Sequence, residues 1–210
     1  MTVMSNANCE RMYESMDWFR SLGVRRMAVN CVQPQGRGVA HGVLTASQMY
    51  KGFYDIYRHM RDHRAALVES RVAQQVDRFL YGRSSRAVGC WDFECQAGRT
   101  YLSIDLDGQI HACGSDSSNH ILGCIEDGCI STSHCRSKLG ALHQKAGVTL
   151  NCFDCPARRI CDHSCPTADY NSRAYADAEC LATRMTWQYF SENAVEVSAV
   201  QRHIENSMAA

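Results

Sequence analysis

The chain has 210 residues, of which 45% are hydrophobic and 21% are charged, a composition typical of a folded, soluble protein. Its formal net charge is +0, so no basic field indicates a nucleic-acid partner. No apolar run reaches the roughly 18 residues that a membrane span needs, and the first residues lack the basic and apolar regions of a secretory signal. We therefore expect a cytoplasmic protein with neither a membrane nor a nucleic acid as partner.

The opening residues predict a helix, a strand and a loop. Apolar side chains repeat at helical spacing over 10–22, and a Gly-Val pair ends that helix. The segment 25–32 then alternates as a strand does, and the Pro- and Gly-containing segment 33–42 is typical of a loop. Met27, Val29 and Cys31 would lie on one side of this strand.

Two further helices are predicted before residue 83. Thr45 and Gln48 have the spacing of a capping box, which marks the start of a helix. An apolar stripe follows it, formed by Met49, Phe53, Ile56 and Met60. The next helix carries Val72, Val76 and Phe79 and is expected to end near Gly82.

From residue 86 the chain becomes rich in cysteine and loops. Leu102, Ile104 and Leu106 alternate along a strand, and Asp107-Gly108 predicts a two-residue hairpin turn before a return strand. The tail over 178–208 has no Pro or Gly and is predicted to be helical.

The chain contains 13 cysteines. In a reducing cytosol, an odd number of this size favours metal binding over disulfides. Eight positions have a specific order and spacing, C-x(9–15)-G-x4-C, then C-x2-C-x5-C-x3-C, then one more C. They are Cys95, Gly108, Cys113, Cys152, Cys155, Cys161, Cys165 and Cys180.

This pattern resembles the SPASM domain of radical S-adenosylmethionine (SAM) enzymes. The resemblance implies two auxiliary [4Fe-4S] clusters with interleaved ligands: Cys90, Cys95, Cys113 and Cys165 for cluster I, and Cys152, Cys155, Cys161 and Cys180 for cluster II. Four thiolates on each cluster favour electron relay or structural support over direct coordination of substrate. The resemblance assigns no role to Cys124, Cys129 or Cys135.

Residues 6–38 resemble the late part of the barrel of the same family. By this resemblance Asn30, Gln33 and Arg37 would lie on the SAM side. The C-x3-C-x2-C motif that holds the SAM-binding cluster is absent from the 210 residues, so a longer product or a separate polypeptide would have to supply it. SAM and a third [4Fe-4S] cluster are expected only in that case, and the chain alone is not expected to cleave SAM.

We therefore predict an α+β fold, with a partial (β/α) barrel remnant over 1–85 and a loop-rich SPASM domain over 86–210 that has one β-hairpin and a C-terminal helix. The family implies modification of a peptide or protein substrate. Two alternatives remain open: a standalone iron-sulfur electron-transfer or scaffold module, and a zinc-binding module with two four-cysteine sites.

Overall fold

The computed structural model describes residues 1–34, 36–82, 101–114, 121–126, 129–130, 154–161 and 172–209. Its α-helices are α1 (Met12–Ser21), α2 (Ala46–Asp62), α3 (Ser70–Tyr81), α4 (Arg173–Glu192) and α5 (Ala194–Ala209). Its strands are β1 (Thr2–Met4), β2 (Arg26–Met27), β3 (Val29–Cys31), β4 (Val68–Glu69), β5 (Ser103–Ile104), β6 (Gln109–His111), β7 (Ile121–Glu126) and β8 (Cys129–Ile130). Short 3-10 helices cover Cys9–Arg11, Gly36–His41 and Pro156–Arg159.

The first four strands form a small parallel layer. Strand β1 pairs with β3, with Val3 opposite Asn30, and β2 pairs with β4, with Met27 opposite Glu69. Because β2 and β3 are separated by Ala28 alone, the chain changes its pairing partner there. The predicted strand over 25–32 is therefore two short strands, and Met27, Val29 and Cys31, which share one side as predicted, are all buried.

The predicted helices of the first part are confirmed, with α1 starting two residues later than expected. Thr45 caps α2 through a complete capping box: its hydroxyl accepts from the Gln48 N–H, and the Gln48 side chain accepts from the Thr45 N–H. The four apolar side chains of the predicted stripe are all buried. Helix α3 ends before Gly82, whose φ of 83° suits glycine. Segment 33–42, predicted to be a loop, contains a 3-10 helix.

Helix α2 lies at the centre of the main hydrophobic core. It packs against α1, α3, α4 and α5. The core includes Met4, Ile56 and Val76 as well as Ile160 and Val200, each almost completely buried. It therefore contains side chains from both sides of the predicted boundary near residue 85, which lies outside the described residues and stays a prediction. The predicted helical tail forms two helices, separated at Asn193.

Strands β5 to β8 form an antiparallel sheet in chain order. The predicted hairpin is present, but its loop has three residues rather than two, because Asp105 and Gln109 still face each other across it. The Asp105 N–H donates to the Gln109 carbonyl at 3.0 Å, and Gly108 takes a φ of 75°, as expected for the last residue of a three-residue loop. Leu106, at the tip, is fully exposed.

The described residues thus have a mixed helix-and-sheet fold, as predicted, and they contain no closed barrel. Among them, none of the helices has both the length and the apolar character that crossing a membrane requires.

Candidate metal centres

Half of the predicted cluster ligands lie in the described part of the chain. Cys113 belongs to predicted cluster I, and Cys155, Cys161 and Cys180 belong to predicted cluster II. The other predicted ligands lie outside the described residues and stay predictions: Cys90, Cys95, Cys152 and Cys165. No disulfide joins any two of the seven cysteines whose side chains are described.

Cys155 and Cys161 flank one compact turn. Cys155 is the N-terminal cap of the 3-10 helix Pro156–Arg159. Proline is favourable as the first residue of this helix, because an N–H at that position would have no helical partner. The Cys155 carbonyl accepts from the Arg158 N–H at 3.1 Å. Ile160, directly before Cys161, is 0% exposed. The apolar side chain of Ile160 therefore anchors the turn, while both cysteines stay only half-buried.

The surface that receives this turn is helix α4, which carries Cys180. The 3-10 helix packs directly against α4. Ile160 belongs to the same core as Ala178 and Ala182 of α4, so small residues on both sides of Cys180 let the turn approach. Two predicted ligands of cluster II thus lie on a segment that is packed on the helix carrying a third.

Cys113 follows strand β6 and packs on a separate small core. This core consists of Ile110, Ala112 and Leu122. A side-chain contact braces the hairpin, since His111 Nε2 lies 3.0 Å from Asp105 Oδ2. The hydrogen bond with His111, supported by backbone N–H donors, lowers the pKa of Asp105. Cys113 is therefore held at the end of a strand with a defined register.

Two cysteines that the resemblance leaves unassigned are core residues. Cys9 and Cys31 are 1% and 5% exposed and belong to the main core. Burial raises the pKa of Cys31 to about 12 and also raises the pKa of Cys9. Since a thiol binds metal as the thiolate, burial disfavours both residues as metal ligands. Cys124, on β7, is half-buried.

The predicted SAM-side residues lie at and after the end of β3. Asn30 is in the strand itself, and its side-chain amide donates to the Met1 sulfur at 3.4 Å. Gln33 follows β3 and is half-buried, whereas Arg37 is exposed in the 3-10 helix. Gly38 lies so close to the Gln33 carbonyl that a β-carbon could not fit. These two residues are therefore in close contact although they are five apart in the sequence.

A second group of candidate ligands, which our sequence reasoning missed, lies between α1 and α2. The Nε2 atoms of His59 and His63 are each 3.7 Å from Asp17 Oδ1. One ligand atom from each of the three residues lies within 4.8 Å of the others. The local signal was the His-x3-His spacing, which places two imidazoles on one helical face. The carboxylate comes from another helix.

His59 is the buried member of this group. Its side chain is 0% exposed, and neither ring nitrogen has a hydrogen-bond partner in the described structure. Burial, with the neighbouring His63, lowers the pKa of His59 to about 4. The ring is therefore neutral at pH 7, and it packs edge-on against Tyr13, with 5.2 Å between the ring centroids.

Asp17 is the partly exposed member. Arg20 donates to Asp17 Oδ1 from both Nη2 and Nε, at 2.8 and 3.1 Å. This hydrogen bonding lowers the pKa of Asp17, so the group is an ionised carboxylate at neutral pH. The arrangement offers two imidazole nitrogens and one carboxylate oxygen.

No protein-family model, curated protein or solved structure matches the chain.

Proposed function

We propose that the chain binds two auxiliary [4Fe-4S] clusters as the C-terminal part of a radical SAM enzyme with a SPASM domain, one that modifies a peptide or protein. The observation that carries the proposal is the register of seven cysteines and Gly108 in the sequence. Cluster I would be held by Cys90, Cys95, Cys113 and Cys165. Cluster II would be held by Cys152, Cys155, Cys161 and Cys180.

The described cysteines of cluster II fit this role by chemistry and support. Thiolate sulfur is the donor that [4Fe-4S] clusters take from proteins. Cys155 and Cys161 lie at the two ends of a turn that Ile160 anchors in the core. Cys180 lies on the helix beneath that turn, so the main core itself supports all three positions.

The parallel layer supports the proposed barrel remnant. Its strands follow one another in chain order, β1 beside β2/β3 and then β4, and a helix follows each of them. Successive units of a β/α barrel are arranged in this way. In such units ligands bind beyond the carboxyl ends of the strands; Gln33 and Arg37 follow the end of β3, and Asn30 lies within the strand.

When bound, the clusters would supply electron relay or structural support, because four thiolates leave no iron open to substrate. For the described ligands of cluster II the chain's own residues would provide the support: Ile160 anchors the turn between Cys155 and Cys161 in the core, and this turn packs on the helix that carries Cys180. Cleavage of SAM needs the C-x3-C-x2-C motif that the 210 residues lack, so a barrel segment from elsewhere would supply that step.

Anaerobic reconstitution of the full chain with iron and sulfide tests the proposal. We expect about eight irons and eight sulfides per chain, with a brown colour. Fewer than about six irons would contradict two clusters. A colourless protein that retains about two zinc ions would instead favour a pair of four-cysteine zinc sites.

Two matched substitutions separate ligand loss from general damage. Cys180→Ser removes a proposed ligand of cluster II and should lower the iron content by up to about four per chain. Cys124→Ser changes a half-buried cysteine outside both proposed ligand sets and should leave the iron content unchanged. Equal iron in the two variants would remove Cys180 from the site.

A further inference from the structure

Two helices bring three metal-binding side chains together at a site unrelated to the cysteines. His59 and His63 are one helical turn apart at the end of α2, where the His63 N–H still donates to the His59 carbonyl at 3.0 Å. This keeps both imidazoles on one helical face. Asp17 points at them from α1, and its Oδ1 lies 3.7 Å from each Nε2 atom.

The buried imidazole is an independent sign of a ligand. His59 is 0% exposed, and the Nε2 atom that faces Asp17 has no hydrogen-bond partner in the described structure. The 3.7 Å separation from Oδ1 is too long for a hydrogen bond. Buried polar groups almost always have a partner, so a group lying between Nε2 and Oδ1 would account for this orphaned atom.

The spacing fits a metal ion better than it fits a direct contact. Bonds of about 2.0–2.1 Å to a tetrahedral zinc ion place neighbouring nitrogen and oxygen ligands about 3.3 Å apart. The observed 3.7 Å from Asp17 to each histidine needs a contraction of a few tenths of an ångström. The two imidazole nitrogens, which lie within 4.8 Å of each other, must also approach to about 3.3 Å, and side-chain rotation can supply both changes. Two imidazoles with one carboxylate suit zinc-like ions, whereas magnesium and calcium prefer oxygen ligands throughout.

Two neighbours must adjust when such an ion binds. Arg20 shares Asp17 Oδ1, and its side chain is 37% exposed, so it can turn toward solvent. Tyr13 Oη lies 3.4 Å from His63 Nε2 and donates its own proton to Asp62 Oδ2 at 3.1 Å. His63 would exchange this long contact for the metal bond.

We propose that Asp17, His59 and His63 bind one divalent transition-metal ion of the zinc class, which ties α1 to α2. Asp17 and His63 are 49% and 30% exposed, so the site is open on one side and a water molecule completes the coordination. Three protein ligands and one water make up the usual ligand set of an open zinc site. The site is independent of the proposed iron-sulfur clusters, with which it shares no residue.

The test compares zinc binding among variants that all retain the 13 cysteines, so that any zinc held by thiolates is common to every sample. Full-length protein is dialysed with reductant against buffered free zinc. His63→Gln and Asp17→Asn change partly exposed residues and should still fold, even where His59→Gln does not. The control is His203→Gln, on α5.

We expect His63→Gln and Asp17→Asn each to bind about one zinc ion fewer than the wild type, through a loss of affinity of about 100-fold or more. The control should match the wild type. In protein labelled with nitrogen-15 at histidine, zinc should shift the ring signals of His59 and His63, and both shifts should disappear in Asp17→Asn. Equal zinc binding by wild type, His63→Gln and Asp17→Asn would overturn the proposal.

Discussion

Replacing Glu69 by glutamine should destabilise the parallel layer more than any change of an exposed carboxylate. Glu69 ends β4 and is 0% exposed. Its Oε1 accepts from the Val29 N–H of β3 at 2.9 Å, and its Oε2 accepts from the Val72 N–H of α3 at 2.8 Å. One carboxylate therefore joins two strands and caps a helix. Glutamine has only one acceptor oxygen, so one of these N–H groups would face an NH2 group.

The size of the effect follows from these two bonds. A hydrogen bond to a charged group contributes about 1.5–3 kcal/mol, and a buried N–H left without a partner costs about 1–3 kcal/mol. Part of this loss is offset, because burial raises the pKa of Glu69 despite its backbone donors, and glutamine removes a charge that the core disfavours. We expect Glu69→Gln to lower the free energy of unfolding by about 2–3 kcal/mol.

Urea unfolding at neutral pH measures this change, and amide hydrogen exchange locates it at Val29 and Val72. The matched control is Glu14→Gln. Glu14 pairs with Arg11 at 2.7 Å, but its side chain is 65% exposed, so the control should cost less than about 0.5 kcal/mol. A loss of stability in Glu69→Gln no larger than that of the control, with Val29 and Val72 protected as before, would refute this account of the carboxylate.

Two further changes test the packing of the C-terminal helices. Glu196→Gln removes a carboxylate that accepts from Tyr189 Oη at 2.7 Å and from Arg61 Nη1 at 3.1 Å. Burial opposes ionisation of Glu196, but the hydrogen-bond donors around it together lower its pKa. The ionised carboxylate therefore stabilises the fold above the ordinary glutamate pKa, and this stabilisation is lost as the pH falls through the lowered pKa. At pH 7 the free energy of unfolding of Glu196→Gln should be about 1–2 kcal/mol lower than that of the wild type. Between pH 7 and 3 the stability of the variant should fall less steeply than that of the wild type, and a constant difference between the two over this range would contradict this reasoning. Ile160→Ala should cost about 2–5 kcal/mol in urea unfolding and should lower the iron bound on reconstitution, whereas unchanged iron would show that the turn does not depend on this anchor.

Local sequence signals predicted the helices because each depends on residues close together in the chain. The capping box at Thr45 and Gln48 needs only three residues of separation, and the burial of α2 follows from its apolar stripe. The hairpin was also predicted, but its loop length was wrong. That length depends on whether Asp105 and Gln109 keep facing each other, and the Asp105 carboxylate supports this pairing by accepting from the Gln109 N–H at 2.9 Å.

Long-range features could not be predicted in this way. The predicted strand is divided at Ala28 because its first half pairs with β4, which follows it in the chain, and its second half pairs with β1, which precedes it. Nothing in the sequence around Glu69 indicates that its side chain joins β4 to β3. The Asp17 group is similar: the two histidines of α2 have a recognisable spacing, but the carboxylate that makes them a site comes from the packing of α1.

The cysteine pattern is different, because its information lies in spacing over the whole second half of the chain. The spacing of Cys155 and Cys161 can be read without knowledge of the fold, so these two residues could be predicted as ligands from the sequence. The packing that supports them could not be predicted. That Ile160 inserts into the same core as Val76 and Val200 was not predicted, and it makes the proposed cluster II depend on the packing of the first part of the chain.

The parallel layer has consequences for any partner that would supply the missing motif. Among the described residues, no further strand pairs with the outer edge of β1 or β4, and a closed barrel needs many more strands than these. Val3 of β1 is 47% exposed. Unpaired strand edges associate readily with other strands, so the same edges that would favour aggregation of the chain alone are the surfaces that added barrel strands would cover. Because Glu69 joins β4 to β3, the stability of the layer depends on this buried carboxylate, and in the proposed barrel remnant the position of these edges would depend on it as well.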